Sequence, residues 1–468
     1  MTKAYDKAWL NAILYTMNKS GITPKNWRMI QQLNTGLTAK IRTKHGLTDD
    51  IHIKDSIRQG GVLSVIEYSN LIDEIAKEIK DENKGQLTVG SSTVDGCLLW
   101  MDDVALIHTD NKQVQDMLDI TQEIANRYHI KFGKEKSQIL SIGNEPTNFS
   151  LGADNLDKTD KYKYLGIMIN NKGNMEEHIK TIKGKTEAAL QTILNIAGYN
   201  DFNRIYMEII WKLFNTSIIS ILTYSAEAWI PTKSEIKKIQ KILDNTVKRI
   251  LNIPITTPTE NIILETGIWN IESIIARKQL NYYYKIIKET DRSTNLYKIC
   301  TDPDSPWNKN IQQKLQKYDM QTAHLETMTK YQANRHIKAK IEQKLLAEIN
   351  QQAENKSKVK HMIENTPERT KLTMAPYMRE LSRRECRNIF LVRSRMAKVK
   401  TNYKGAHSNL LCRWCKKVEE TQTHIFQECE NLKEAQNCNY ENIFQNEVST
   451  LRNTTQALEN IMKYLEET

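Results

Sequence analysis

The chain has 468 residues, 39% of them hydrophobic and 26% charged, with 17 glycines, 9 prolines and 7 cysteines. That length allows about three domains, and so little glycine and proline excludes collagen-like, linker-rich and turn-dense all-β architectures in favour of long helices. The net charge of +11 directs attention to a polyanionic partner, while the lack of any 18-residue apolar run offers no membrane span.

In chain order, residues 8–18 and 24–33 read as helices, with Pro24 in the first turn. Residues 37–57 read as a hairpin, because apolar and polar side chains alternate around His45-Gly46. A helix follows over 62–82, with Val62, Ile66, Leu71 and Ile75 on its apolar side. Residues 94–108 are two short apolar runs split by Asp102-Asp103, residues 112–128 return to helical period, and 137–143 and 161–170 read as strands. Beyond them the pattern is helical over 176–197, 203–225, 234–251, 271–289, 310–350 and 376–399. Pro254 and Pro258 mark one break, and 301–308 marks another, the best candidate for a domain boundary.

The charge is local. Residues 1–150 carry a net −1 and 151–355 a net +6, whereas 356–417 carry +13 and 418–468 carry −7. The excess is concentrated at 383–387 and 393–400, in Arg383, Arg384, Arg387, Arg393, Arg395, Lys398 and Lys400. A phosphate-backbone footprint is one reading and a solvated helical face the other. The N-terminus lacks the apolar stretch of a secretory signal. The odd cysteine count fits a reducing intracellular compartment, nuclear or cytoplasmic, rather than secretion.

Asp102-Asp103 lies between apolar runs, a pattern that places two adjacent acids in the turn of a hairpin. Adjacent carboxylates repel unless a cation neutralises them, and Mg²⁺ favours carboxylate oxygens while keeping positions open for phosphate. That combination suits two-metal phosphoryl transfer; the alternative is an ordinary Asp-rich turn. Upstream, Gly60 and Gly61 in SIRQGGVLS permit close backbone approach, and Arg58 and Gln59 offer donors to a base or phosphate.

Taken in order, TKAYDKAW, SIRQGGVLS, WMDDVALI, FGKEKSQIL and KYKYLG resemble the palm motifs of non-LTR retrotransposon reverse transcriptases. ILTYSAEAW at 221–229 is similar to the helical segment that follows the polymerase domain in these elements. The resemblance implies that Asp102 ligates catalytic Mg²⁺ or Mn²⁺ with Asp103 beside it, and that Tyr5 lies under the incoming sugar. It implies further that Arg58, Gln59, Gly60 and Gly61 serve the nucleotide and template, and that Lys136 contacts the triphosphate. The plain alternatives are a core tyrosine, a tight loop and a solvated lysine. One departure is serious: the aspartate that leads the family's first motif would fall one position before Met1. A truncated element product is therefore expected, with an Asp codon immediately upstream and with fingers and endonuclease segments outside the chain. Val65 stands where the family usually has proline.

Cys412, Cys415, His424 and Cys429 form a C-x2-C-x8-H-x4-C pattern, the donor set of a tetrahedral Zn²⁺ site. Arg413, Trp414, Lys416 and Lys417 lie within it, so the loop would present cations and an indole to RNA; the alternative is a purely structural staple. A similar pattern closes the resemblance near the C-terminus. The expected fold is α+β: a partial polymerase palm with an antiparallel sheet and helices over 1–150, then the end of the palm and a helical thumb or connection over 151–300. A basic helical region over 301–410, a zinc-knuckle-like module over 411–430 and an acidic tail over 431–468 complete it. The expected function is RNA-directed DNA polymerisation on an RNA template with a DNA primer or target and deoxynucleoside triphosphates. The alternative is a catalytically inactive, retroelement-derived nucleic-acid-binding protein. No membrane and no protein partner are inferred.

Overall fold

The computed structural model describes residues 5–53, 56–143, 147–196, 207–366, 369–432 and 438–467. Lys3 and Ala4 of the first motif, and residues 203–206 of an expected helix, lie outside them. The chain divides into two compact units: Met1–Asn174 with Asp291–Asn308, and Met175–Thr290 with Lys309–Thr468.

In the first unit, the apolar periodicity of 8–18, 24–33, 62–82 and 112–128 becomes the helices Leu10–Lys19, Pro24–Asn34, Ser64–Asp81 and Asn111–Arg127. Their apolar faces meet in one core containing Ile13, Met17, Leu71, Ile72, Ile75, Met117 and Ile124, each buried, whereas Val62, which precedes the third helix, and Ile66, both expected on its apolar side, are exposed. The described strands form two-stranded pairs, six antiparallel and one parallel. The alternation at 37–57 folds as Arg42–Thr43 against Gly46–Leu47 and Thr38–Ala39 against Ile51–His52.

Two strand expectations change. Residues 161–170 are not one strand but a hairpin, Lys161–Tyr164 against Ile167–Asn170. Leu165 and Gly166 turn it with φ of 44° and 85°, the left-handed pair that a two-residue turn requires. The expected strand at 137–143 shortens to Gln138–Ile139, which pairs in parallel with Asp157–Lys158.

Asp291–Asn308 packs with the first unit through the hairpin Gln86–Val89/Ser92–Asp95. The Asp302 carboxylate accepts from the Ser91 amide at 2.9 Å and from the Ser91 hydroxyl at 3.0 Å. Asn295 donates to the Asp95 carbonyl at 3.3 Å. A β-carbon on Gly90 would come within 2.7 Å of the Ser305 amide nitrogen, so close contact here requires glycine.

The second unit is helical with a single large core that includes Trp211, Phe214, Tyr377, Phe390 and Phe426. The expected 203–225 helix contains a wider turn, Phe214–Ile219, between Met207–Leu213 and Ser220–Leu222. The expected 310–350 helix is three: Pro306–Lys317, Thr322–Thr327 and Lys330–Ala353. Asp319 stops the first at φ 51°, and a capping box of Thr329 and Gln332 starts the last. Likewise 376–399 resolves into Tyr377–Glu380 and Arg383–Arg393, the second begun by a Ser382/Glu385 capping box. No described helix is long and apolar enough to cross a membrane.

Candidate active site and metal-binding cluster

Strands Cys97–Trp100 and Asp103–Leu106 pair in register, with Trp100 opposite Asp103. The tip is therefore Met101-Asp102, and Met101 takes the left-handed conformation at φ 55°. Leu99 and Val104 pack on the first core, which anchors both strands and leaves Asp102 and Asp103 exposed. Asp103 has no ion-pair partner among the described residues.

The first motif touches this tip, and the second is bonded to the first. The Tyr5 hydroxyl donates to Met101 Sδ at 3.6 Å, and the Tyr5 ring lies 5.1 Å from that of Tyr68. Tyr68 is buried, and burial, then the Asp102 charge, then Tyr5 push its phenol up. The Tyr5 carbonyl accepts from the Ile57 amide at 2.9 Å, and Gln59 donates to Asp6 at 2.9 Å, tying the first motif to the second. Within the second motif, Gly60 has φ 83°, and the Ser64 hydroxyl donates to the Arg58 carbonyl at 2.7 Å. A β-carbon on Gly61 would sit 2.5 Å from that hydroxyl oxygen. Arg58, Gln59 and Gly60 are exposed.

Lys136 is exposed, and its carbonyl accepts from the Tyr162 hydroxyl at 3.2 Å. Burial and the Asp103 charge raise both Tyr162 and Tyr164. These two phenols, together with Tyr68 and Met101, are site neighbours that motif reading alone did not single out. The signal available was the alternation of KYKY, which puts both tyrosines on one face of a strand.

Residues 1–169 match the family of reverse transcriptases, RNA-dependent DNA polymerases. They form a non-LTR retrotransposon reverse transcriptase domain. The chain is 18% identical to the RNA-directed DNA polymerase from mobile element jockey of Drosophila funebris over 326 residues, 68% of this chain and 35% of that protein. It is 21% identical to the jockey polymerase of Drosophila melanogaster over 260 residues, 54% and 28% of the two chains. An uncharacterized transposon-derived protein of Caenorhabditis elegans is 25% identical over 171 residues, covering 35% of this chain and 59% of that one. The matched region spans about a third of each jockey polymerase.

Outside the reverse transcriptase domain, the C-x2-C loop opens with an antiparallel bridge between Leu411 and Glu419. The Cys412 amide donates to the Val418 carbonyl at 2.7 Å, and Lys416 turns the loop at φ 57°. His424 and Cys429 bracket a wide turn in which the Cys429 amide donates to the His424 carbonyl at 2.8 Å. All four ligand atoms lie within 4.8 Å of one another. Cys412 and Cys429 sulfurs are 3.8 Å apart, and Cys415 Sγ is 3.3 Å from His424 Nε2. The edge of a tetrahedron with Zn–S bonds of about 2.3 Å is about 3.8 Å, so the donor set and its spacing fit zinc. The Lys417 amide lowers the Cys415 thiol, whereas burial raises that of Cys429.

The basic residues separate into two groups. Arg383 is buried and donates to the Arg249 and Ile250 carbonyls, closing the C-terminus of the helix Lys233–Leu251. Arg393 is 0% exposed; its guanidinium meets Glu265, the Ile443 carbonyl and the Gln445 carbonyl, and lies over the Tyr377 ring. These two were expected on a nucleic-acid face, and their burial against acceptors removes them from it. Arg387 takes the Asn252 carbonyl and Glu466, Arg384 pairs with Glu459 at 2.9 Å, and Lys400 donates to the Leu411 carbonyl at 2.8 Å. Trp414 is half-buried under the Arg413 guanidinium, which is itself held by Glu420. Lys398 is exposed and Arg395 is partly so.

Proposed function

We propose that the first unit performs RNA-directed DNA polymerisation, and that the second supplies the thumb or connection, a basic region and a zinc-stabilised loop. The observation that carries this reading is the contact of the first motif with the Asp102-Asp103 hairpin through Tyr5 and Met101, with the second motif bonded to the first through Gln59 and Asp6, and Tyr162, bonded to Lys136, near enough to feel the Asp103 charge. Asp102 and Asp103 would hold Mg²⁺ or Mn²⁺, which when bound neutralises the charge that builds up in phosphoryl transfer. Tyr5, held against Met101 and Tyr68, would wall the sugar site and select against a 2′-hydroxyl. Arg58, Gln59, Gly60 and Gly61 would line template and nucleotide, and Lys136 would neutralise triphosphate charge. Cys412, Cys415, His424 and Cys429 would hold zinc. Substrates would be an RNA template, a DNA primer or target and deoxynucleoside triphosphates, in the nucleus or cytoplasm.

Primer extension on an RNA template tests the reading. The chain should incorporate deoxynucleotides in the presence of Mg²⁺, and Asp102→Asn should abolish incorporation. Equal incorporation by the two would remove the claim. Strand binding without incorporation in either would favour the second reading, a catalytically inactive nucleic-acid binder.

A further inference from the structure

Much of the basic excess of 356–417 is satisfied inside the second unit, by Glu265, Glu420, Glu459 and Glu466 or by helix carbonyls. One cluster differs. Lys358 and His361 lie three residues apart on the helix Ser357–Asn365 and so share a face. The Lys358 ammonium is 5.2 Å from the Tyr403 ring centroid and 3.0 Å from Met396 Sδ. Its close neighbours are thus a π-face and a thioether rather than a carboxylate. Arg395 follows the helix Arg383–Arg393 at φ 52°, a conformation disfavoured for a residue with a β-carbon. Among the described residues its guanidinium has no hydrogen-bond or ion-pair partner.

Arg395 bears on both neighbours. Burial first, and then the Arg395 charge, lower the Lys358 ammonium and bring the His361 imidazole down to about 4. Asn365 donates to His361 Nδ1 across 3.2 Å, which leaves the ring proton on Nε2. That Nε2 atom is buried and has no partner among the described residues. Lys358, held beside the neighbour of Arg395 by its contact with Met396 Sδ, and Arg395 thus carry like charge in partly dewatered surroundings with no carboxylate partner among the described residues, and His361, whose Nε2–H is unpartnered, lies one turn along the helix from Lys358. Such an arrangement is unfavourable unless an anion sits among them.

We propose that Lys358, Arg395 and the His361 Nε2–H seat one backbone phosphate of a nucleic-acid strand. This deepens the nucleic-acid reading above and rests on it. It moves the contact from the helix Arg383–Arg393 to the turn that follows it. A phosphodiester offers tetrahedral oxygens to a forked guanidinium, an ammonium and an imidazole N–H together. The exposed Lys398, three residues on, extends the positive surface along which a strand could continue. A seat of this kind positions a strand without reading its sequence.

The test is a fluorescence-anisotropy titration of the full chain with labelled single-stranded RNA at several salt concentrations. Arg395→Asn combined with Lys358→Met removes both charges, and asparagine accepts the left-handed backbone. The double variant should bind more weakly, and the slope of log K against log salt should fall by about 0.7, the value of one phosphate contact on a single strand. Arg384→Gln, which removes a cation paired with Glu459, should leave the slope unchanged. If wild type binds and the double variant matches it in affinity and slope, the seat is overturned while the nucleic-acid reading stands. If wild type binds no RNA, both fall. An Arg395-dependent rise in melting temperature with inorganic phosphate, alongside unchanged RNA binding, would assign the cluster to a free anion and also overturn the seat. Loss of incorporation in Asp102→Asn with RNA binding intact would keep the two sites separate.

Discussion

Arg393→Met puts the internal role of the basic helix to a direct test. Arg393 Nε donates to the Ile443 carbonyl at 2.6 Å, and Nη1 lies 3.2 Å from Glu265. Nη2 donates to the Gln445 carbonyl, and the guanidinium carbon is 4.7 Å from the Tyr377 ring centroid. Both charged side chains are 0% exposed. Methionine keeps much of the volume but leaves the buried Ile443 carbonyl without its donor, worth about 1–3 kcal/mol, and removes the part-buried bond to the Gln445 carbonyl, worth about 1–2 kcal/mol. Arg369, 2.6 Å from Glu265, keeps that carboxylate paired. The expected destabilisation is therefore about 2–4 kcal/mol, the loss of the bonds to the two carbonyls without an uncompensated buried charge. Chemical denaturation followed by far-ultraviolet circular dichroism would measure it, and the melting temperature should drop by roughly 10 °C. Arg384→Gln, with its arginine 41% exposed beside Glu459, should change stability by about 1 kcal/mol or less. The reasoning fails if Arg393→Met is as stable as wild type while its RNA affinity falls, because Arg393 would then face the nucleic acid.

Three further outcomes follow from the geometry. Burial and Arg395 hold His361 below its ordinary value, at about 4. The unfolded chain thus binds a proton near pH 6.5 that the folded chain refuses, so stability contributed by neutral His361 is complete above that pH and is lost as pH falls towards 4. Denaturation midpoints of wild type and His361→Gln should differ by a constant amount above pH 7 and draw together below 6.5; parallel curves to pH 4.5 would contradict this. Cys412→Ser, which removes one buried donor, should reduce zinc measured by mass spectrometry from about one equivalent per chain and loosen the loop 410–429 to proteases. Gly90→Ala adds a β-carbon within 2.7 Å of the Ser305 nitrogen at φ 67°, so limited proteolysis should cut within 291–308 faster than in wild type. An unchanged cutting rate would mean that this close contact does not hold the segment.

Local chemistry was readable where the deciding partners are close in sequence. The hairpin around Asp102-Asp103 followed from two apolar runs, because period-two burial needs only neighbours. The helices at Leu10–Lys19, Ser64–Asp81 and Asn111–Arg127 followed from period-3.6 faces. The Leu165-Gly166 turn escaped because leucine is an unusual residue in a left-handed position, and a continuous apolar alternation conceals it. The splits at Asp319 and Ser382 were legible in part: Thr329-x-x-Gln332 and Ser382-x-x-Glu385 are capping boxes written in the chain, but helical periodicity on either side masks them.

The amino-acid sequence by itself determined the order and spacing of the reverse transcriptase motifs, the C-x2-C-x8-H-x4-C set and the placement of a +13 segment before an acidic one. Each depends on residues near one another along the chain, or on a motif carried whole. What only the tertiary structure decided is which of those charges remain available. Arg393 meets a glutamate 128 positions away, Arg383 caps a helix 133 positions away, and Arg387 reaches Glu466 across 79. A charge count registers all of these as solvent-facing cations, because burial and pairing depend on which segments fold against one another. The same packing leaves Lys358, His361 and Arg395 together, a constellation drawn from two separate segments that composition alone would have spread evenly over the basic region.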